Sequence, residues 1–587
     1  MNFPIYQPHM YFHQGDADYI DTTYDDINQT SLDVIANSYI EFDNTNNFGI
    51  VKLKMKKMEI TKTPTFFLLT IDKTGSMSEK IDKNTTKMDV VKQTVKNMIH
   101  YFSKLDAPIY IRIHTFNTEV ETTIDCTRIT PDIANDVISK IDAIEPESPT
   151  NIGVALQSAD ETMKSYAFVN PSHQICHIFM TDGDATEGEL NRDVLASRIT
   201  EDYPTINVGF GLSHNVKLLK TLSQKKNADY QFVNNMETTS VIYAEAVHRY
   251  LYPCVHNVDI VMENALIYDW KTNEWAASLH EPVIVGEVEK IYHVKRCPQL
   301  LETKEIPLSG TNEIVARIYG IVPRNEPKND QKNHRQLLDS AIELPPLVDA
   351  NTFESVSNLR VDLTPYMYRQ RTLELLFESQ NVSSSTKTDA VGHIKTQLND
   401  LYKEIKQYMD TSNLGGEFGP FLKQLCDDIY ITYRFLGTEH GAMYTLARYT
   451  SQGRQQSHSA TPRQSEIGHH FSPLNDYDSP PALSLSQGLS RRNLTVTIPS
   501  TPRVKRQTTN SGFGRGPGLT TILSESILTD LDDNDDYINI QRINNNDFTN
   551  DLDTNDLDNY CYDDADSKTC YATPSQIDTM NEMTNNA

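Results

Sequence analysis

Apolar and polar positions fall into distinct rhythms along this chain, and each predicts a different kind of element. Residues 50–56, Ile-Val-Lys-Leu-Lys-Met-Lys, alternate apolar and basic side chains as a half-exposed strand does. Phe66 to Ile71 is instead an unbroken apolar run, as expected of a parallel strand buried on both faces, and it stops at Asp72. Beyond that loop Met88, Val91, Val95, Met98, Ile99 and Phe102 recur at helical spacing, and Ile109 to Phe116 reads as the next strand.

The alternation continues with a helix after Thr150, a strand at Ile175–Met180, a helix near Leu190–Ile199 and a strand at Ile206–Phe210. Helices around Val216–Leu222 and Val241–Tyr252 complete the set. Such a β-α succession over residues 63–252 predicts an α/β fold with a doubly wound parallel sheet. Its binding loops gather at the carboxyl ends of the strands, where strand order reverses. Asp72 and Asp182 each follow a predicted strand directly.

Residues 255–325 switch to short alternating strands, Val255–Met262, Val283–Val288 and Ile314–Ile321, with Trp270 and Trp275 between them, and predict a small β-rich domain. The strand or strands in 36–62 can pair with it, giving a β-sandwich into which the α/β unit is inserted. Residues 335–450 read as helical, most clearly at Val391, Ile394, Leu398, Leu401, Ile405 and Tyr408. That stripe is shorter than a coiled-coil dimer needs, so an intramolecular bundle is expected, with Phe421, Leu422, Leu425, Ile429 and Leu436 facing it.

Composition adds the flanks. Residues 1–35 are polar, and 451–587 are dominated by Ser, Thr, Pro, Gly, Asn and Asp. Both are expected to be disordered, because they carry too little apolar surface to offset the entropy of ordering. The second begins basic (Arg454, Arg491, Arg492, Lys505, Arg506) and turns acidic and Asn-rich (Asp530, Asp532, Asp533, Asp535). A formal charge of -27 argues against the basic surface that nucleic acid or an anionic membrane requires, local basic stretches being the exception. The seven cysteines are far apart without zinc spacing, which predicts a reducing compartment. Neither a signal sequence nor an apolar span is evident, so a cytoplasmic protein is expected. Glycine-rich phosphate loops, nucleophile elbows and His-Glu-x-x-His runs are missing, so no enzyme is expected.

What remains is a constellation of oxygen donors: Asp72-Lys-Thr74-Gly-Ser76, Thr150 and Asp182. Any one of these loops reads equally as turn and cap residues. Taken together, two carboxylates and three hydroxyls suit a hard cation, Mg²⁺, Mn²⁺ or Ca²⁺, and lack the imidazole or thiolate that favours zinc. Asp184 and Glu187 follow closely, either as outer-shell groups or as a solvated loop. The helix expected after Ser76 would turn free N–H groups toward an anion.

In this order and context the set resembles the metal-ion-dependent adhesion site (MIDAS) of von Willebrand factor A (VWA) domains, D-x-S-x-S followed by a distant Thr and a distant Asp. Thr74 departs from the usual Ser, keeping the hydroxyl but adding a methyl. The resemblance implies a Rossmann-like VWA domain, and a protein partner whose Asp or Glu completes the coordination of a Mg²⁺-type ion. The region after residue 252 resembles the domain that follows in eukaryotic and giant-virus VWA proteins and in some plant RING ubiquitin ligases, although RING cysteines are missing here. If the chain is viral, host cytoplasm or virion is implied. A scaffold or virion-associated protein with a vestigial site, and less readily a metal-dependent hydrolase, are the alternatives.

Overall fold

The computed structural model describes residues 34–297, 314–321, 336–338, 361–456 and 571–585, apart from 44, 82–83, 148, 184, 212–213, 234–235, 383–387, 412–417 and 439. Residues 1–33 and 457–570, where disorder is expected, lie outside the described residues.

The first strands, β1 (Ile35–Asp43) and β2 (Phe48–Met55), form an antiparallel pair. The α/β unit follows as β3 (Thr65–Asp72), α1 (Lys87–Lys104), β4 (Ile109–Phe116), β5 (Val120–Arg128), α2 (Pro131–Asp142), α3 (Ile152–Val169), β6 (Gln174–Thr181), α4 (Arg192–Ser197), β7 (Thr205–Phe210), α5 (Val216–Ser223), β8 (Ala228–Val233) and α6 (Met236–Leu251). Its sheet runs β5-β4-β3-β6-β7-β8. All neighbours are parallel except β5, which returns antiparallel along β4. The sheet is therefore mostly, not wholly, parallel. β5 carries no apolar run because it is an edge strand with only Ile124 buried, which hid it from a reading based on periodicity.

Every residue of β3 is buried, as an unbroken apolar run requires. On α1 the predicted stripe, Met88, Val91, Val95, Met98, Ile99 and Phe102, is also buried. Its start is set by a capping box in which Thr86 and Asp89 satisfy each other's backbone amides. β8 went unread because Asp229 and Gln231 interrupt it; both are buried, and Asp229 is neutralised by Arg249 at 2.6 Å.

The chain then builds β9 (Pro253–Glu263), β10 (Ala265–Asp269), β11 (Glu274–Ala276), β12 (Ser278–Val285), β13 (Glu289–Arg296), β14 (Val315–Ile321) and β15 (Gln336–Leu338). They form two sheets, ordered β1-β2-β13-β10-β11 and β12-β9-β14-β15. β2 pairs with β13 in the register Val51↔Tyr292, so strands on either side of the α/β unit share one sheet. Val51 and Leu53 of one sheet and Val255, Val258 and Ile260 of the other are buried in a single cluster, the interior of a sandwich.

The region expected to be helical from 335 instead opens with β15, whose residues complete the edge beside β14. Helices begin later: α7 (Thr364–Gln380), α8 (Thr388–Thr411), α9 (Gly419–Phe435) and α10 (Gly441–Arg454). Ile394, Leu398, Leu401 and Ile405 of α8 are buried with Leu422, Leu425 and Ile429 of α9. The same cluster takes in Phe116, Ile152, Leu218 and Tyr230 of the α/β unit, so the bundle closes one face of that unit.

The expectation of disorder over 451–587 is corrected at both ends. α10 runs on to Arg454, and α11 (Pro574–Asn585) packs against α1 and α6. Polar composition concealed α11, because half of its buried stripe is Gln576 and Thr579, with Met580 and Met583 as its apolar members. Among the described residues no helix is long and apolar enough to cross a membrane.

Candidate metal centre

From β3 the sheet extends one way through β4 and the other way through β6, so strand order reverses between β3 and β6. The crevice at their carboxyl ends is where an open α/β sheet places ligands. Asp72 is the last residue of β3, and Asp182 directly follows β6. Both are buried.

Hydrogen bonds tie the two loops together. The Ser76 hydroxyl donates to Asp182 Oδ1 at 2.7 Å and lies 3.1 Å from Thr74 Oγ1. Asp72 Oδ1 accepts from the Thr74 amide at 2.9 Å, and Asp72 Oδ2 accepts from the Thr181 hydroxyl at 2.6 Å. Four of the five sequence-derived residues, Asp72, Thr74, Ser76 and Asp182, are thus joined. Thr150 is held beside them through its backbone: its amide donates to Thr186 Oγ1 at 2.9 Å, and its carbonyl accepts from the amides of Thr186 and Glu187 at 2.9 and 3.0 Å. Its hydroxyl makes no hydrogen bond to the other four among the described contacts. Glu187 is exposed, and Asp184 lies outside the described residues.

One local expectation is corrected. No α-helix follows Ser76; Gly75–Ser78 is a single 3₁₀ turn, and α1 starts only at Lys87, where Thr86 and Asp89 supply the cap. A helix N-terminus directly after Ser76 is therefore not part of this site.

Sequence reasoning missed Lys87. Its ammonium donates to Asp182 Oδ2 at 2.7 Å and to Glu79 Oε2 at 2.7 Å, with the Lys87 side chain only 5% exposed. Room for that chain comes from Gly211, at φ +72°, where an added Cβ would stand 2.9 Å from Lys87 Cε. The one signal in the sequence is a cation in the first turn of a helix, against the helix dipole. Thr181 was likewise passed over, although it adjoins Asp182.

Burial, with a smaller contribution from the Asp182 charge, pushes the Asp72 carboxyl up to about 6 against the hydrogen bonds from Thr181 and Thr74. For Lys87, burial works against the charge. Hydrogen bonds and charges from Asp182 and Glu79 outweigh it and hold the ammonium above the ordinary lysine range. The cluster therefore contains two buried carboxylates with one fixed cation between Asp182 and Glu79. Around Asp72, Thr74, Ser76 and Asp182 Oδ1 the donors are carboxylate and hydroxyl oxygens, and they fit a hard divalent cation. Among the described residues no group of three or more His, Cys, Asp or Glu could hold a metal, so a zinc-type ligand set is not built.

Residues 68–245 match the family model of the von Willebrand factor type A domain. The structure is similar to a von Willebrand factor type A protein from Catenulispora acidiphila, with 14% identity, a TM-score of 0.46, and coverage of 67% of this chain and 89% of that one. It is also similar to the ArnB paralog VWA2 from Sulfolobus acidocaldarius, with 15% identity, a TM-score of 0.43, and coverage of 69% and 92%. Comparison with curated protein sequences gives no match. A mostly parallel sheet flanked by helices, carrying extra β-sheets and a helical region, thus has at its centre, over residues 68–245, a von Willebrand factor type A domain.

Proposed function

We propose that this chain is a protein-interaction module that captures an acidic side chain of a partner through a Mg²⁺-type cation. Asp72, Thr74, Ser76, Thr150 and Asp182 hold the ion, and the partner's Asp or Glu takes the remaining coordination position. VWA domains are commonly protein-interaction modules, and the observation that carries the finer reading is the cross-loop set of buried Asp72, Thr74 and Asp182 with the half-buried Ser76 hydroxyl that joins them. The carboxylates of Asp72, Asp182 and Glu79 exceed the single Lys87 ammonium by two charges, which a divalent ion balances while its open coordination position takes one further anion. The role assigned to these side chains is binding rather than turnover.

The test is titration calorimetry of the full chain with MgCl₂ and MnCl₂, wild type against Asp72→Ala. Recovery of partners from a lysate is then compared with and without EDTA. Saturable binding to wild type only, with partners lost in EDTA, is the expected result. A partner retained equally in EDTA sinks the mechanism.

Lys87 favours a second reading, in which the protein is a scaffold, virion-associated if viral, whose site has traded a metal for a tethered ammonium. In that case neither Mg²⁺ nor EDTA changes the melting temperature or the recovered partners.

A further inference from the structure

Residues 571–585 return to the α/β unit as a short amphipathic helix. Thr573, Gln576, Thr579, Met580 and Met583 are buried, while Pro574, Asp578, Asn581, Glu582 and Thr584 are exposed. The buried positions are spaced three, three, one and three residues apart and so form one stripe. That stripe lies against α1 and α6, which also touch each other. Met583 is fully buried and shares the cluster formed by Met98, Phe102 and Val247.

Two polar contacts along this seam pair neutral groups. Tyr101 Oη is 3.3 Å from Thr579 Oγ1, and His248 Nε2 is 3.0 Å from Ser575 Oγ. Just before the helix, Tyr571 Oη donates to Gln452 Oε1 at 2.8 Å. The helix carries its own start signal: Thr573 Oγ1 accepts from the Gln576 amide at 3.3 Å, and Gln576 Oε1 accepts from the Thr573 amide at 2.7 Å. At 12 residues it is at the lower limit of what persists alone in water, so its order derives from the surface it meets. Residues 457–570 separate it from the rest of the fold. Methionine anchors on one stripe, hydroxyl contacts and a self-contained cap are how an amphipathic peptide fills a helix-lined groove.

We propose that the groove between α1 and α6 is a peptide-docking site whose ligand is this chain's own segment 571–585, bound in cis and displaceable. Because α1 begins at Lys87, whose ammonium bonds Asp182, the groove lies along the helix that carries the fixed cation of the candidate metal centre. The docking itself does not depend on a metal being bound there.

The test uses the full chain and a fluorescent peptide spanning residues 569–587. In Met583→Asp the resident helix is weakened, and peptide binding by anisotropy should tighten at least tenfold over wild type, where the resident copy competes. A peptide carrying aspartate at both methionine positions should not bind. Hydrogen exchange should show lost protection in 571–585 while β3, β6 and the sandwich keep theirs. Thr579→Asp, which leaves both methionines in place, should give the same pattern and guards against misfolding of the first variant. Peptide binding that is absent or equal in all forms, or protection lost throughout the α/β unit in both variants, would overturn the proposal.

Discussion

Replacing Lys87 by methionine keeps a flexible chain of similar length in the space beside Gly211 and removes only the ammonium. In the wild type that ammonium stands 2.7 Å from Asp182 Oδ2, with the two side chains 5% and 0% exposed. At an effective dielectric constant of about 20, charges this close attract by roughly 6 kcal/mol before desolvation is subtracted. Removing one member of a buried pair typically costs about 3–5 kcal/mol, because the other charge is left uncompensated. The Glu79 contact adds little, as that carboxylate is 60% exposed and screened by water. Lys87→Met should therefore lose about 3–5 kcal/mol in urea unfolding without divalent ions. If Asp72, Ser76 and Asp182 hold a cation, Mg²⁺ at a hundred times its dissociation constant should return about 2.7 kcal/mol. The variant should also bind Mg²⁺ more tightly than wild type, because the competing ammonium is gone. The assay is urea unfolding by circular dichroism with and without Mg²⁺, paired with calorimetric titration. An identical deficit in both buffers, together with unchanged Mg²⁺ affinity, would refute the reasoning.

Three further outcomes follow from the same structure. Asp72→Asn removes a carboxylate that burial raises to about 6, well above its unfolded value near 3.8; at pH 8 the metal-free variant should be more stable than wild type by about 1–3 kcal/mol, with Mg²⁺ binding lost in calorimetry. Gly211→Ala forces a side chain into a left-handed conformation facing Lys87 Cε and should cost about 1–3 kcal/mol in urea unfolding. Acid should destabilise the fold between pH 6.5 and 4. Burial lowers His114, His214, His248 and His256 to about 4 and His177 and His293 to about 3, so the unfolded chain takes up protons that the folded chain refuses. Asp72, raised to about 6, and Asp428, raised to about 7, act in the opposite sense but are outnumbered. Each group contributes at most about 1.4 kcal/mol per pH unit, and a urea midpoint unchanged between pH 7 and pH 5 would contradict this balance.

The parts legible in the sequence were those where one residue type dominates a stretch or a loop. β3 announces itself because all of it is buried, and the stripe on α1 because one face is. Asp72 and Asp182 stand out because a carboxylate ends each apolar run. What stayed hidden depends on contacts between distant residues. Lys87 reads as an ordinary surface lysine until Gly211 and Asp182, more than ninety positions away, are folded beside it. In β8, Asp229 looks unfit for a buried strand until Arg249 is placed against it. In β13, charged residues mask the strand, yet Lys290 and His293 are buried against the helical region, where His293 Nδ1 lies 2.7 Å from Gln370 Oε1. α11 is poor in apolar residues, and although Thr573, Pro574 and Gln576 give it a start signal, its order is dictated by the groove it fills.

The pairing of β2 with β13 sets a timetable for the newly made chain. β2 ends at Met55, and its partner begins at Glu289, so one of its edges has no neighbour until the whole α/β unit has been synthesised. At about 5–20 residues per second that interval lasts roughly 10–50 s, long compared with the folding of a small domain. An open edge bearing Ile50, Val51 and Leu53 is a template for strand addition by another chain. The basic residues alternating along it, Lys52 and Lys54, bring like charges together when two copies of the strand pair and discourage nascent copies from joining before β13 arrives.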